Sequence, residues 1–383
     1  MKAVRCMLAA GVAALGMAAA HADIKVGVVL SESGPAASLG IPEKRTIQLF
    51  PKEIAGQKID YIFLDDATDP TAAVKAAKRL VDDDQVDLVI GPSITPSSLA
   101  MLPVIGGAKT PNISLSAGSS IVNPVEGNRK WAFITPQTTA LMARAVVHSM
   151  TENKLTKVAF IGFDDAYGQE WWNSFSQDAK AAGIDVVASE RFSRTATSVM
   201  GQVLHIVAAK PQAVLIVAAG TPAALPQREF KQVGYKGQIY QTHGVVNPDF
   251  LRVCGADCEG TIVPASPGVV AQQLPASSPI KASAMKYATA YEGAYGKNSL
   301  SEFSANAWDA GQLLEHAIPV ALKHAKPGDT VAFRAALRDA IEGLKNVAGD
   351  DGIYSMSPTE HNGLDDRAVV LTRIEHGTWK MSK

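Results

Sequence analysis

Two short stretches carry the residue types that could do chemistry in this chain. The first, Gly-Pro-Ser-Ile-Thr-Pro-Ser-Ser-Leu at positions 91–99, follows an apolar run at 86–90. That run reads as a buried parallel strand. Thr95 falls where a helix N-cap belongs, Pro96 takes the first helical position, and an apolar helix begins at Leu99. The second stretch, Ser116-Ala117-Gly118-Ser119-Ser120, ends the next strand, at 113–115. Each leaves hydroxyls and orphan amides at the carboxyl edge of a sheet. Free N–H groups and the helix dipole favour a small anion there, and open α/β sheets take their ligands at that edge. The first stretch alone would serve equally as a capped helix with nothing bound; two such loops in adjacent repeats favour a ligand.

Catalytic signatures are missing. The sequence holds no phosphate loop, no G-x-G-x-x-G, no H-E-x-x-H and no G-x-S-x-G. Its eight histidines are scattered, with no pair at the spacing of a helix-borne metal site, so neither a metal nor a cofactor is expected. Asp164-Asp165 and Asp365-Asp366 are sequence neighbours on loops and read as solvated turns rather than acid–base pairs. Asp82, Asp83 and Asp84 read as the solvated end of a helix. The chain reads as a binding protein, with a hydrolase on an α/β fold as the minor alternative.

The elements that must position these loops alternate strand and helix. Strands are predicted at 25–30, 59–64, 86–90, 113–115, 158–162, 184–188, 214–218, 239–241 and 261–263, with amphipathic helices between most of them. Such alternation implies α/β architecture with parallel sheets and right-handed crossovers. Helices are predicted near 282–295, 306–323 and 331–344, and a strand pair joined at His361-Asn362-Gly363 closes the chain.

Length and composition set the frame. A chain of 383 residues suffices for two domains of about 150 residues each. A formal charge of −1 gives no basic patch for nucleic acid or an anionic membrane. Residues 1–22 read as a cleaved leader: Lys2 and Arg5 precede an apolar run at 7–20, and Ala20-His21-Ala22 is a small-residue cleavage site. Cys6 leaves with that leader. No later run has the roughly 18 apolar residues of a membrane span. Cys254 and Cys258 remain, and an even count in an exported chain predicts a local disulfide between them.

A family pattern then emerges in order along the chain. Ile24-Lys25-Val26-Gly27-Val28-Val29 and Ser33-Gly34-Pro35-Ala36-Ala37-Ser38-Leu39-Gly40 come first. Leu64-Asp65-Asp66-Ala67-Thr68-Asp69-Pro70, Ile90-Gly91-Pro92-Ser93 and Asp165-Ala166-Tyr167-Gly168 follow. Together they resemble mature leucine/isoleucine/valine-binding proteins. The resemblance implies a type I periplasmic-binding-protein fold: two Rossmann-like lobes joined by three hinge strands, a monomer that hands its ligand to an ABC-transporter permease. It implies lobe one at 23–137 plus 268–351, and lobe two at 138–267 plus 352–383. It further implies that a ligand carboxylate is held by Thr95, Ser97, Ser116, Ala117, Gly118 and Ser119, with Tyr167 closing from lobe two and Thr221 facing the cleft.

Two departures bear on the ligand. Amino-acid-binding members place an acid opposite the ligand ammonium; here the matching position is His243, and a second acidic site becomes Thr135-Pro136-Gln137-Thr138. A buried ammonium without a counter-charge costs several kcal/mol. The segment at 34–43 is similar to members that bind benzoate or phenylpropenoid acids, so the resemblance favours an aromatic carboxylate over a branched-chain amino acid. His243 would then serve a ring hydroxyl or a second carboxylate, or sit satisfied away from the cleft. A ligand sensor for a membrane kinase or chemoreceptor would share every one of these features.

Overall fold

The computed structural model describes residues 22–382. The expected leader, apart from Ala22, and Cys6 with it, lie outside the described residues. The chain opens with β1 (Ile24–Leu30), β2 (Glu53–Ile54), β3 (Gln57–Asp65), β4 (Leu88–Ile90), β5 (Asn112–Ser114) and β6 (Ala132–Ile134). These form one sheet in the order β2-β3-β1-β4-β5-β6. β7 (Lys157–Phe163), β8 (Asp185–Phe192), β9 (Ala213–Val217), β10 (Gln238–Gln241) and β11 (Ile262–Ala265) build the second sheet. The chain then returns to the first lobe for β12 (Val347–Ala348) and β13 (Ile353–Tyr354). It comes back to the second sheet with β14 (Val370–Glu375) and β15 (Thr378–Met381). The second sheet runs β15-β14-β11-β10-β9-β7-β8.

Helices α1 (Ala37–Gln48), α2 (Pro70–Lys78), α3 (Thr95–Gly107), α4 (Thr139–Glu152), α5 (Ala166–Ala181) and α6 (Met200–Ala208) cover these sheets. So do α7 (Ala224–Gln232), α8 (Pro248–Cys254), α9 (Lys281–Tyr295), α10 (Glu302–Ala321) and α11 (Thr330–Glu342). The apolar runs are strands because helices bury them on both faces: Val26, Val28 and Val29 of β1 are wholly inaccessible, as is β9 from end to end. Each sheet has its own core, one around Val26, Leu88 and Leu313, the other around Phe160, Leu215 and Phe250. Strand order reverses between β1 and β4 in the first sheet and between β7 and β9 in the second, which opens a crevice at the carboxyl ends of both.

Three expectations are corrected. The chain end is a β14–β15 hairpin turned by His376 and Gly377, both at positive φ, and not a pair joined at His361-Asn362-Gly363. Residues 353–362 stay with the first lobe instead of joining the second at 352. Tyr354 and Met356 enter the first core, and His361 stacks on Phe133 at 4.2 Å. Asn362 Nδ2 donates to Ile134 O and Pro136 O, so the third crossing falls after it. Cys254 and Cys258 are buried free thiols rather than a disulfide. Gly255, at φ 58°, turns the chain at the end of α8, and Cys258 Sγ donates to Gly255 O at 3.0 Å.

Candidate functional site

The carboxyl edges of the two sheets face each other across a narrow cavity, partly open to solvent. Its first-lobe wall comes from Leu39 of α1, from Ser93, Ile94 and Thr95 after β4, and from Leu115, Ser116 and Ala117 after β5. Its second-lobe wall comes from Tyr167, Arg194, Ala219, His243 and Gly244. Pro136 at a crossing, with Phe303 and Asn306 from the start of α10, closes the remaining side.

Thr95 does not cap α3. Ile94, extended at φ −130°, takes the N-cap place and makes no side-chain cap, while Thr95 is the first helical residue. The Ile94 carbonyl accepts the Ser98 N–H at 3.0 Å, so the helix begins one residue earlier than the proline suggests. Relieved of capping, Thr95 Oγ1 turns to the neighbouring loop and is hydrogen-bonded to Ser116 Oγ at 2.8 Å. Gly118 makes that meeting possible, because a Cβ there would stand 2.5 Å from Thr95 Cγ2.

Across the cavity, Tyr167 occupies the first turn of α5, whose N-cap Asp165 accepts the Gly168 N–H at 3.2 Å. Its hydroxyl donates to Thr242 Oγ1 at 2.9 Å, and Thr242 donates onward to Ala218 O at 2.9 Å. His243 is buried, 4% exposed, and its Nδ1 has no hydrogen-bond partner among the described residues. Burial pushes the imidazole down to about 3, so the ring is neutral at physiological pH. It stacks on Trp171 at 6.0 Å and 29°. Arg194 is the cation of the wall; its Nε lies 2.5 Å from Asp165 Oδ2 and its guanidinium sits 4.2 Å over the Phe163 ring. No Asp or Glu lines the cavity among the described residues.

The structure therefore brings Thr95, Ser116, Ala117, Tyr167 and His243 of the sequence-derived set to one cavity. Ser97 is buried behind it, on the side of Asp66. Gly118 stands behind Thr95, and Ser119 Oγ is engaged with Thr139 Oγ1 at 3.2 Å. Thr221 donates its N–H to Ser38 Oγ at 3.3 Å, a contact between lobes rather than a wall of the cavity. Sequence reasoning missed Leu39, Arg194, Phe303 and Asn306; nothing local marks them, since chain distance alone separates Phe303 from the strand ends it meets. Among the described residues no cluster of His, Cys, Asp or Glu could hold a metal, and no helix is long and apolar enough to cross a membrane. What the arrangement can do is enclose a small molecule with an apolar body, offering hydroxyls at one wall and a neutral ring nitrogen at the other.

Known proteins share this fold. An extracellular ligand-binding receptor from Rhodopseudomonas palustris is 41% identical, superposes with a TM-score of 0.90, and covers 94% of this chain and 100% of its own. Leu/Ile/Val-binding protein homolog 7 of Brucella abortus is 25% identical over 382 residues, 95% of this chain and 92% of that protein. A solute-binding protein of an R. palustris ABC transporter, solved in complex with benzoate, shares the fold at 21% identity and a TM-score of 0.81, covering 94% and 95% of the two chains. The family model described as periplasmic binding protein matches residues 23–378, and with two α/β lobes enclosing the cavity the chain belongs to that family, as a type I solute-binding protein.

Proposed function

We propose that this protein captures a small aromatic carboxylate between its lobes and presents it to the membrane permease of a branched-chain-amino-acid-type ABC importer. One observation carries the reading: the cavity offers hydroxyls to an anion and apolar walls to a ring, yet no carboxylate to an ammonium. An α-amino acid would leave its ammonium facing a neutral His243, a loss of several kcal/mol. In this reading Thr95 and Ser116 hold the carboxylate, with Ala117 beside them, while Ser97, Gly118 and Ser119 keep the two loops in place. Tyr167 covers the ring, Thr221 belongs to the contact that holds the lobes together, and His243 takes a polar substituent at the far end.

Support from relatives is of two kinds. A protein of the same fold is in complex with benzoate, so the fold accommodates such an acid. The leader-like residues 1–22 fit export and cleavage after Ala22, and the family fits a periplasmic monomer. Members of this family bind solutes and are not enzymes. The names of the Brucella relatives favour the second reading, a branched-chain aliphatic amino acid. The lobes in this proposal are residues 23–137 with 268–362, and 138–267 with 363–382.

The test is direct. Ligand released from freshly purified, denatured protein is identified by mass spectrometry, and melting is followed with benzoate, cinnamate, leucine, isoleucine and valine. A ligand at 100 times its Kd stabilises the native state by about 2.7 kcal/mol. The aromatic acids are expected to raise the melting temperature and the amino acids to leave it unchanged; the reverse result overturns the proposal.

A further inference from the structure

Behind Ser93, on the wall of the cavity, lies a buried polar cluster that the proposed function does not use. Glu43 of α1 and Asp66, just past β3, are both wholly inaccessible. Glu43 Oε2 is hydrogen-bonded to Ser93 Oγ, while its Oε1 has no partner among the described residues. Ser93 Oγ also accepts the N–H of Ser31 at 3.0 Å. Ser31 Oγ donates to Asp66 Oδ1 at 2.7 Å, and Asp66 accepts the Thr68 N–H at 2.9 Å through the same oxygen.

No cation is paired with Glu43 among the described residues; Arg194, on the second-lobe wall of the same cavity, is held by Asp165. Lys44, the next residue on α1, is engaged at the surface by Glu32, 2.5 Å away. The end of β1 contributes Ser31, and the turn after β3 contributes a second acid, Asp66. α10 packs on α1 through Thr46 Oγ1, which donates to Ser304 O at 3.0 Å. Of the acids on α10, Glu302 and Asp309 are engaged at the crossings, and Glu315 faces Tyr61. No ion pair among the described residues involves Glu43. A carboxylate so placed is costly, and burial, with Asp66 adding to it, holds the Glu43 carboxyl well above the ordinary range.

A hydroxyl has one proton to give and two lone pairs to receive with. Ser31 already fills one lone pair of Ser93. If Glu43 is ionised, Ser93 must direct its proton at it and turns a lone pair toward the cavity, which repels an anion. If Glu43 is protonated, its O–H fills the second lone pair, and the Ser93 proton points into the cavity. We propose that Glu43 is a protonated positioning residue: its acid proton sets Ser93 as a donor to the ligand carboxylate, so carboxylate capture requires that Glu43 keep its proton. This rests on the carboxylate reading of the cavity.

Calorimetric titration of the purified protein with benzoate and cinnamate from about pH 6 to about pH 10 tests it, together with infrared spectroscopy of the ligand-free protein. The association constant of the wild type is expected to fall as pH rises, approaching about tenfold per unit beyond the ionisation of Glu43. Glu43→Gln, whose amide donates to Ser93 as the acid does, should bind within about threefold of the wild type at low pH and lose the pH dependence. Ser93→Ala should bind about tenfold more weakly and be equally flat. The wild type should show the carbonyl band of a protonated carboxyl at neutral pH, and Glu43→Gln should lack it. Flat binding by the wild type, pH-dependent binding by Glu43→Gln, or absence of the band overturns the proposal. If neither acid binds the wild type, the carboxylate reading is overturned, and the band still decides whether Glu43 carries the proton.

Discussion

At the scale of single residues the cavity turns on hydroxyls that are not used elsewhere. Thr95 is free because Ile94 takes the cap position, and the 2.8 Å bond to Ser116 fixes both oxygens side by side. Hydrogen bonds to a charged group are worth about 1.5–3 kcal/mol, so Thr95→Ala or Ser116→Ala should weaken carboxylate binding by about ten- to a hundredfold in calorimetry. The placing of the two loops was legible: small hydroxyl residues after two consecutive strands put Thr95 and Ser116 at one sheet edge whether or not a threonine caps the helix. The cap itself was misread because Pro96 suits either of the first two helical positions, and only the Ser98–Ile94 hydrogen bond decides between them. His243 was legible as a departure but not as a neutral ring; that property comes from burial beneath Trp171, which no local pattern encodes. Since the ring already sits at about 3, it should contribute no pH dependence to binding between about pH 5 and about pH 8.

At the scale of elements, the crossings between lobes concentrate buried acids. Glu302 Oε2 accepts the Ser266 N–H at 3.0 Å, and Asp309 accepts the N–H groups of Asp350 and Asp351 at 2.6 and 2.9 Å. Tyr354 donates its hydroxyl to Asp309 at 2.8 Å. Burial pushes Glu302 up to about 8 and Asp309 up to about 6, and drives Asp350 and Asp351 upward as well. The sign follows from where the protons go. Between the ordinary carboxyl range and these raised values the folded chain holds protons that the unfolded chain has released, so stability falls as pH rises through that window. The melting temperature is expected to drop by several degrees from about pH 5 to about pH 8, and Glu302→Gln should remove part of the drop. The same elements explain the misplaced chain end. His361-Asn362-Gly363 has the composition of a turn between strands, but the stacking of His361 on Phe133 holds that segment to the first lobe. The true hairpin turns at His376 and Gly377.

At the scale of the molecule the lobes already touch. Thr221 reaches Ser38, and Ser120 is hydrogen-bonded to Glu170 across the interface. Gly220, at φ 63°, brings its backbone so close that a Cβ would stand 2.4 Å from Ser38 Oγ and 2.7 Å from Leu39 Cδ1. Gly220→Val should therefore wedge the lobes apart. Small-angle scattering should show a larger radius of gyration with ligand present, and affinity should fall about tenfold or more, because hinge closure loses its contact. An unchanged radius would show that the side chain is accommodated elsewhere. The two α/β units were legible from strand–helix alternation, since apolar runs of this length must be covered on both faces. How the units meet was not, because Gly220 and Ser38 are neighbours only through the three crossings. The disulfide expected between Cys254 and Cys258 rested on compartment logic rather than geometry, and the turn at Gly255 leaves two free sulfurs instead.

The stacking of Trp171 on His243 has a practical corollary. The indole is wholly inaccessible and separated from the cavity by one uncharged ring. A solute that settles against that imidazole should alter the polarity the indole senses, and its emission is expected to shift with occupancy in a fluorescence titration. Trp171→Phe should remove that shift, with Trp131, Trp172, Trp308 and Trp379 still present.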